Sequence, residues 1–235
     1  SRGQIFQSPA NVFVQGEESS LFYGFETDGI YQVDDTDFLS GSVPGDVKIV
    51  DQNQDGEIDD LDRTFIGNPN PDFIYGLNLN FRYKRLNASI LMNGVSGNDI
   101  ANGNLLTIGN AGGQFQNITK EAFFNAWRPY LPSNTHPRIG YNTVGDTAIT
   151  DRIIEDGSFL RLNNITIGYD LPVDKSKLFE RFNIFVTAQN LHVWTNYSGY
   201  NPEISSFSYD GLRNGVDWNG SPDAKNISFG ININF

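Results

Sequence analysis

The sequence lacks several residue types that define whole classes of protein. Cysteine is absent from its 235 residues, which excludes a disulfide framework and thiolate chemistry. Basic residues are scarce, with 16 Lys and Arg against 28 Asp and Glu and a net charge of −12. That balance argues against nucleic-acid binding and against a peripheral site on anionic lipid. No apolar run approaches the roughly 20 residues of a membrane helix, so any membrane-spanning structure has to be a β-barrel.

Alternation of apolar and polar residues is the strongest pattern that is present. The closing segment, 226–235, reads NISFGININF. A β-strand turns successive side chains to opposite faces, so this segment is a ribbon with one fully apolar face and one small, polar face. A strand of a soluble sandwich and a strand of a transmembrane barrel both fit this pattern.

Other segments show the same period of two. Residues 73–83 and 86–93 predict a hairpin around a tight Lys84-Arg85 turn. Residues 158–171 predict a strand with a bulge near Asn163-Asn164, where the apolar positions change phase. Further predictions are a strand over 182–189, one or two strands within 4–32, and a short helix from about Thr119 to Trp127 with Thr119 as its N-cap.

The lengths of the predicted connections alternate along the chain. Counting back from the end, they are long, short, long, short and long: 192–224, 172–180, 94–157, 84–85 and 33–72. Long loops on one side and short turns on the other are typical of outer-membrane barrels. A soluble sandwich has no reason to sort its loops in this way. The pattern therefore favours an all-β, antiparallel transmembrane barrel segment with long extracellular loops, and it places Phe235 at the periplasmic rim.

Several stretches resemble one known family. GDVKIVDQNQDGEIDDLDRTFIGNPNPDFIYGLNLNFRYK is the longest, and it is followed in order by NGVSGNDIAN, IIEDGSFLRLNNITIGYDLP, FNIFVTAQNL, YSGYNPEIS and FGININF. Together they resemble the C-terminal part of SusC/RagA-type TonB-dependent outer-membrane transporters over about residues 20–235. The resemblance implies a 22-stranded barrel with an N-terminal plug, of which residues 1–235 would be the last third or less. We therefore expect a fragment, or one piece of a barrel that another chain completes.

The resemblance also implies a location and partners. The location is the outer membrane of a Gram-negative bacterium, in contact with membrane lipid. The partners are a TonB complex, which acts through the absent N-terminal part, and a SusD-like surface lipoprotein. The substrate is an oligosaccharide or a peptide. The alternative that the residues leave open is a soluble, calcium-stabilised β-type carbohydrate-binding module.

Residues 51–62 fit a calcium loop within one of the predicted outer loops. Calcium needs six to eight oxygen ligands, which side chains two residues apart on a tight loop can direct inward. Two departures from the EF-hand are Asp62 in place of the usual glutamate and the lack of a predicted helix before the loop. A solvated turn that holds no ion is the alternative. The predicted ligands, with Glu57 acting through its main-chain carbonyl, are Asp51, Asn53, Asp55, Glu57, Asp59 and Asp62.

No enzymatic constellation stands out, because neither histidine has a serine or carboxylate at a telling spacing and the acidic pairs are adjacent residues. Aromatic residues of the last long loop, interleaved with amides and carboxylates, suit sugar binding. Trp194, directly after a strand, instead suggests the aromatic belt of a membrane interface. The remaining aromatics support sugar binding or packing of the loop: Tyr197, Tyr200, Tyr209 and Trp218.

Overall fold

The computed structural model describes residues 4–7, 10–108, 117–140, 148–173, 180–207 and 210–235. The chain divides into two compact units, each built from three stretches. The loop unit comprises 1–70, 99–156 and 203–220, and the sheet unit comprises 71–98, 157–202 and 221–235. No helix in the described ranges is long and apolar enough to cross a membrane.

Almost all of the regular secondary structure in the described residues is β-structure. In chain order the strands are β1 (Gln4–Gln7), β2 (Asn11–Val14), β3 (Leu21–Phe25), β4 (Thr27–Ile30), β5 (Val47–Ile49), β6 (Arg63–Gly67), β7 (Phe73–Tyr83), β8 (Leu86–Ser96), β9 (Asp99–Asn102), β10 (Ile154–Asp156), β11 (Phe159–Leu171), β12 (Arg181–Thr195), β13 (Val216–Asp217) and β14 (Asn226–Asn234). The helices are α1 (Asn104–Ile108), α2 (Lys120–Asn125) and the 3-10 turns Asp60–Asp62 and Asp151–Ile153.

The loop unit contains short sheets with their own apolar core. The strand orders are β1-β2-β3-β6, β4-β5 and β10-β9-β13. One core cluster surrounds Phe22, which is fully buried, and a second surrounds Trp127 and Ile49. Residues that looked like unstructured loops therefore bury enough apolar surface to fold together.

The sheet unit is one antiparallel sheet in the order β14-β12-β11-β8-β7. All eleven residues of β7 are exposed, and β14 is exposed except for Gly230. Within the described residues, β7 pairs only with β8 in this sheet and β14 only with β12. Both outer strands therefore have a free edge, and the sheet is not closed into a barrel. The predicted fold class, a segment of an antiparallel barrel, agrees with this sheet.

Local features follow the sequence closely in the sheet unit. Lys84 takes the left-handed backbone conformation (φ 53°) at the tight turn between β7 and β8. The predicted bulge is confirmed, because the register of β11 shifts between Leu162 and Asn164 against both neighbouring strands. Relative to β8, Asn163 is the extra residue, and it brings Leu160 and Leu162 onto the same face as the apolar positions that follow.

The loop segments were predicted less well. Residues 4–32 contain four strands rather than one or two, and strands β5, β6, β9, β10 and β13 lie in stretches expected to be loops. These strands have two to five residues, too few to show a periodic pattern. The helix at Thr119 is confirmed, since its hydroxyl accepts a bond from Ala122 N at 3.1 Å. Helix α1 was not predicted, and most of the 172–180 connection lies outside the described residues.

The core of the loop unit gives a first prediction. Phe22→Ala should lower the free energy of opening by about 3–5 kcal/mol, because it removes a fully buried ring and leaves a cavity. Hydrogen exchange at the amides of β3 and β6 measures this quantity. Phe124→Ala, which truncates a ring that is 65% exposed, is the matched control and should change it by less than about 0.5 kcal/mol. Equal effects of the two substitutions would contradict this core.

Candidate functional site

One face of the sheet unit is apolar across all five strands. Residues paired directly across neighbouring strands share a face. The middle row of this face runs Leu79, Ile90, Ile165, Ala188 and Ile227. Large side chains on this face are open to the surroundings: Leu79 is 49% exposed, Ile227 64% and Phe229 80%. Soluble monomers rarely expose a continuous apolar surface of this extent.

Aromatic side chains lie at both ends of the apolar face. Tyr75 and Trp194 belong to one row near the long connections, and Tyr83 and Tyr169 belong to one row near the short ones. From Phe73 to Tyr83, β7 rises about 33 Å, which a strand tilt of about 40° reduces to about 25 Å along a membrane normal. That height matches the apolar band of a transmembrane barrel, with an aromatic girdle at each edge.

The opposite face is polar and carries few charges. Its middle row runs Asn80, Ser89, Thr166, Thr187 and Ser228, and the hydroxyl oxygens of Thr166 and Thr187 lie 2.9 Å apart. Some apolar side chains also lie on this face, among them Ile74, Leu91 and Phe185. The Phe185 ring occupies the space where a side chain of Gly230 would lie. This face can form hydrogen bonds with water or a polar solute, as expected of the lumen wall of a barrel.

A charged cluster lies on the polar face near the short connections. The Asp170 carboxylate accepts bonds from Asn183 Nδ2 at 2.8 Å, Arg181 Nε at 2.9 Å and Arg82 Nη2 at 3.3 Å. These contacts join β7, β11 and β12. A sequence signal for this cluster exists, because Arg82, Asp170 and Arg181 are isolated charges in strands whose other polar residues are mostly neutral.

Arg161 is a buried charge that the sequence did not single out. It lies at the other end of β11, is 3% exposed, and donates to Asp223 Oδ2 at 2.7 Å and to Asn201 Oδ1 at 2.6 Å. Asn201 in turn donates to the same Asp223 oxygen at 3.0 Å. These bonds fix the two chain segments that flank the last long connection to β11.

The predicted calcium loop is wound around its first residue. Asp51 accepts bonds from Gln54 N at 2.6 Å and Gly56 N at 2.8 Å. Gln54 and Gly56 have positive φ, a conformation that suits glycine at the sharp turn of such a loop. Asn53 and Asp55 are joined side chain to side chain at 2.8 Å. The winding is that of a tight turn, and calcium binding by this loop stays a prediction.

The last predicted ligand has a structural role of its own. Asp62 is fully buried, and its carboxylate accepts bonds from Gln52 N and Asp59 N, each at 2.9 Å. Asp59 caps the following 3-10 turn through Leu61 N. Glu57 is exposed. Within the described ranges, no three His, Cys, Asp or Glu side chains are gathered into a group that could hold a metal ion.

The predicted aromatic sites have different surroundings. Tyr197, in the sheet unit, is only 5% exposed and its ring packs against Gly199, so it is not open to a ligand. Tyr200, in the same unit, is 75% exposed. Trp218, in the loop unit, is 41% exposed and borders an apolar cavity of about 130 Å³ together with Phe207. Tyr209 lies outside the described residues.

A pair of carboxylates in the loop unit was also missed. Asp99 on β9 lies opposite Asp156 on β10, and Asp99 Oδ2 accepts a bond from Asn68 N at 2.8 Å. Burial raises the pKa of Asp99 above its ordinary value of 3.8, and the charge of Asp156 raises this pKa further, against the lowering effect of the Asn68 bond. The short strands that create the pair have no signal in the sequence.

Comparison with known proteins defines the class. The chain is 33% identical over 99% of its length to TonB-dependent receptor P3 of Formosa agariphila, and 28% identical over 79% of its length to TonB-dependent receptor SusC of Bacteroides thetaiotaomicron. It spans 24% of the first relative and 17% of the second, and so about a quarter or less of each. No protein-family model matches the chain.

The fold is shared with solved structures of the RagAB peptide importer. The TM-score is 0.77 for the open-open state and 0.74 for the closed-closed state, at 22% identity and with 97% or more of this chain covered. The class is therefore that of outer-membrane β-barrel proteins, and the predicted location is confirmed. Within this class, the resemblance to SusC/RagA-type TonB-dependent receptors is confirmed as well.

The raised pKa of Asp99 gives a second prediction. A raised pKa means that the folded unit binds more protons than the unfolded chain between pH 3.8 and the shifted pKa, so Asp99 disfavours folding once it is charged. Asp99→Asn should leave the unit as stable as the native one, or more stable, at about pH 7. This advantage should shrink towards about pH 4.

Hydrogen exchange at the amides of β9 and β10 measures this stability at both pH values. The amide oxygen of the introduced asparagine can still accept the Asn68 N–H, so the variant tests the charge alone. Asp156→Asn is the matched control and should give a smaller change, because burial of Asp99 is the larger cause. The predicted difference is the stability of Asp99→Asn minus that of the native chain. A smaller difference at about pH 7 than at about pH 4 would contradict the raised pKa of Asp99.

Proposed function

We propose that this chain forms part of the wall of a TonB-dependent importer in the outer membrane. The observation that supports the proposal most directly is the sheet unit, whose apolar face has the height and the aromatic edges of a lipid-facing surface. Its polar face would line the lumen. The two free edges would pair with barrel strands that this chain does not contain.

The same proposal includes a substrate class and partners, which the names of the relatives support. RagAB is described as a peptide importer, and the SusC relative is a TonB-dependent receptor. We propose uptake of an oligosaccharide or a peptide, energised by a TonB complex and assisted by a SusD-like lipoprotein. The neutral hydroxyl and amide groups of the polar face suit either solute, because both offer many hydrogen-bonding groups.

The alternative of a soluble carbohydrate-binding module receives no support from these comparisons. It also leaves the exposed apolar face of the sheet unit unexplained. Tyr200 and Trp218 are the predicted aromatic positions that are open enough to contact a solute.

We further propose that residues 51–62 bind calcium as a structural ion. The bonds from Gln54 and Gly56 to Asp51, together with the left-handed Gly56, support this proposal because they wind the loop around its first carboxylate. Asp51, Asn53, Asp55 and Asp59 would supply side-chain oxygens, Glu57 its main-chain carbonyl, and Asp62 would close the loop. The ion would offset repulsion among these carboxylates and stiffen the loop unit.

The membrane proposal predicts opposite outcomes for two neighbouring residues. In the full-length protein, Leu79→Lys should destabilise the barrel by about 2–4 kcal/mol, because it places a charge at mid-height of the lipid-facing surface. Asn80→Lys, one residue along the strand, faces the lumen and should be tolerated. Heat-modifiable gel mobility of the protein in outer-membrane fractions reports folded barrel. Equal loss of folded protein in both variants would exclude this orientation of the sheet.

The calcium proposal is tested on the same full-length protein by limited proteolysis of the 51–62 loop as calcium is titrated. Calcium should protect the native loop. Asp51→Asn should weaken this protection on the order of ten-fold, because one ligand loses its charge. Glu57→Ala is the matched control, since its predicted ligand is a main-chain oxygen, and it should keep near-native protection. No protection of the native loop, or equal losses in both variants, would refute the site.

A further inference from the structure

Positive charge is concentrated at the end of the sheet unit that carries the short connections. Four basic side chains are described there, Arg82, Lys84, Arg85 and Arg181, against the two acidic side chains of Asp170 and Glu180. The whole chain has the opposite balance, with 16 basic and 28 acidic residues. The net charge of −12 therefore conceals a local basic rim.

The four basic residues of this rim have two different roles. Arg82 and Arg181 are engaged with Asp170 on the polar face. Among the described residues, Lys84 and Arg85 form no ion pair with a carboxylate, and both are exposed. The surplus charge of the rim is thus carried by the turn between β7 and β8.

Lys84 is directed towards the apolar face. Its ammonium group lies 5.3 Å from the centre of the Tyr83 ring, and Tyr83 is on that face in the same row as Tyr169. A cation above an aromatic ring at the edge of a lipid-facing surface has the position of an interfacial anchor. There, the ring lies at headgroup depth and the charge reaches the phosphates.

The backbone of the turn gives an independent argument. Lys84 adopts φ 53°, a backbone conformation that glycine takes without the strain that it imposes on lysine. Because a two-residue hairpin turn has better alternatives, its own geometry does not explain the two positive charges. A ligand for these charges explains them.

We propose that Lys84 and Arg85 bind the phosphate of an anionic phospholipid headgroup at the membrane surface next to the short connections. The inference rests on the proposed orientation of the sheet in the membrane. Each basic residue near an anionic surface contributes about a five-fold preference for it. The pair should therefore raise the preference for an anionic lipid on the order of twenty-fold.

The experiment uses the full-length protein in nanodiscs of phosphatidylcholine, with or without phosphatidylglycerol. Phosphatidylglycerol should raise the unfolding temperature and be enriched among the lipids that native mass spectrometry finds bound. The double substitution Lys84→Gln and Arg85→Gln should lose both effects. Lys120→Gln, which removes an exposed charge from the loop unit, is the matched control and should keep them.

A second variant separates lipid binding from stability of the turn. Lys84→Gly with Arg85→Asn places glycine at the turn residue that has positive φ, so this variant should be at least as stable as the native protein in phosphatidylcholine. It should nevertheless lose the response to phosphatidylglycerol.

Each other outcome has a definite meaning. A response that persists in the glutamine variant, or that inorganic phosphate reproduces in phosphatidylcholine, would overturn the lipid site. Incorporation into nanodiscs without any response to phosphatidylglycerol would also overturn it. Failure of the native protein to enter nanodiscs would instead contradict the proposed membrane function.

Discussion

The pairing of strands in a fixed register, with side chains alternating at a period of two, is the constraint on which the rest of the sheet unit depends. A strand in lipid has to satisfy its backbone groups by pairing with its neighbours. Its side chains then alternate between two faces, one apolar and one polar. The row from Leu79 to Ile227 shows the result across five strands. One residue further along, the row from Asn80 to Ser228 offers only hydroxyls and amides.

The sequence predicted the sheet unit well because this constraint acts on every residue of a long strand. A period of two that extends over about ten residues predicted the hairpin at Lys84-Arg85 and the closing strand. A change of phase within such a pattern predicted the bulge at Asn163. The loop unit follows a different logic. Its strands have two to five residues. A core residue such as Phe22 packs against residues that are distant in sequence.

The candidate sites show the same difference between local patterns, which the sequence predicts, and long-range contacts, which it does not. The spacing of Asp51, Asn53 and Asp55 could be read directly, because a cation loop is a local structure. Burial of Tyr197 could not, since it depends on packing that leaves no periodic signal. The pairing of Asp99 with Asp156 joins residues far apart in the chain, and the Arg161 contacts with Asn201 and Asp223 do the same. The composition gave no signal of the basic rim near the short connections, because an overall charge says nothing about how charges are distributed over a folded surface.

The bulge at Asn163 has a consequence for how the length of such strands can vary. On either side of it, the apolar residues of β11 change from even to odd positions, and the residue that is extra relative to β8 keeps Leu162 and Ile165 on one face. Without a bulge, a single-residue insertion or deletion in the strand would move the apolar side chains on one side of it to the polar face. The bulge therefore accommodates one additional residue while the apolar side chains of β11 stay on one face of the sheet.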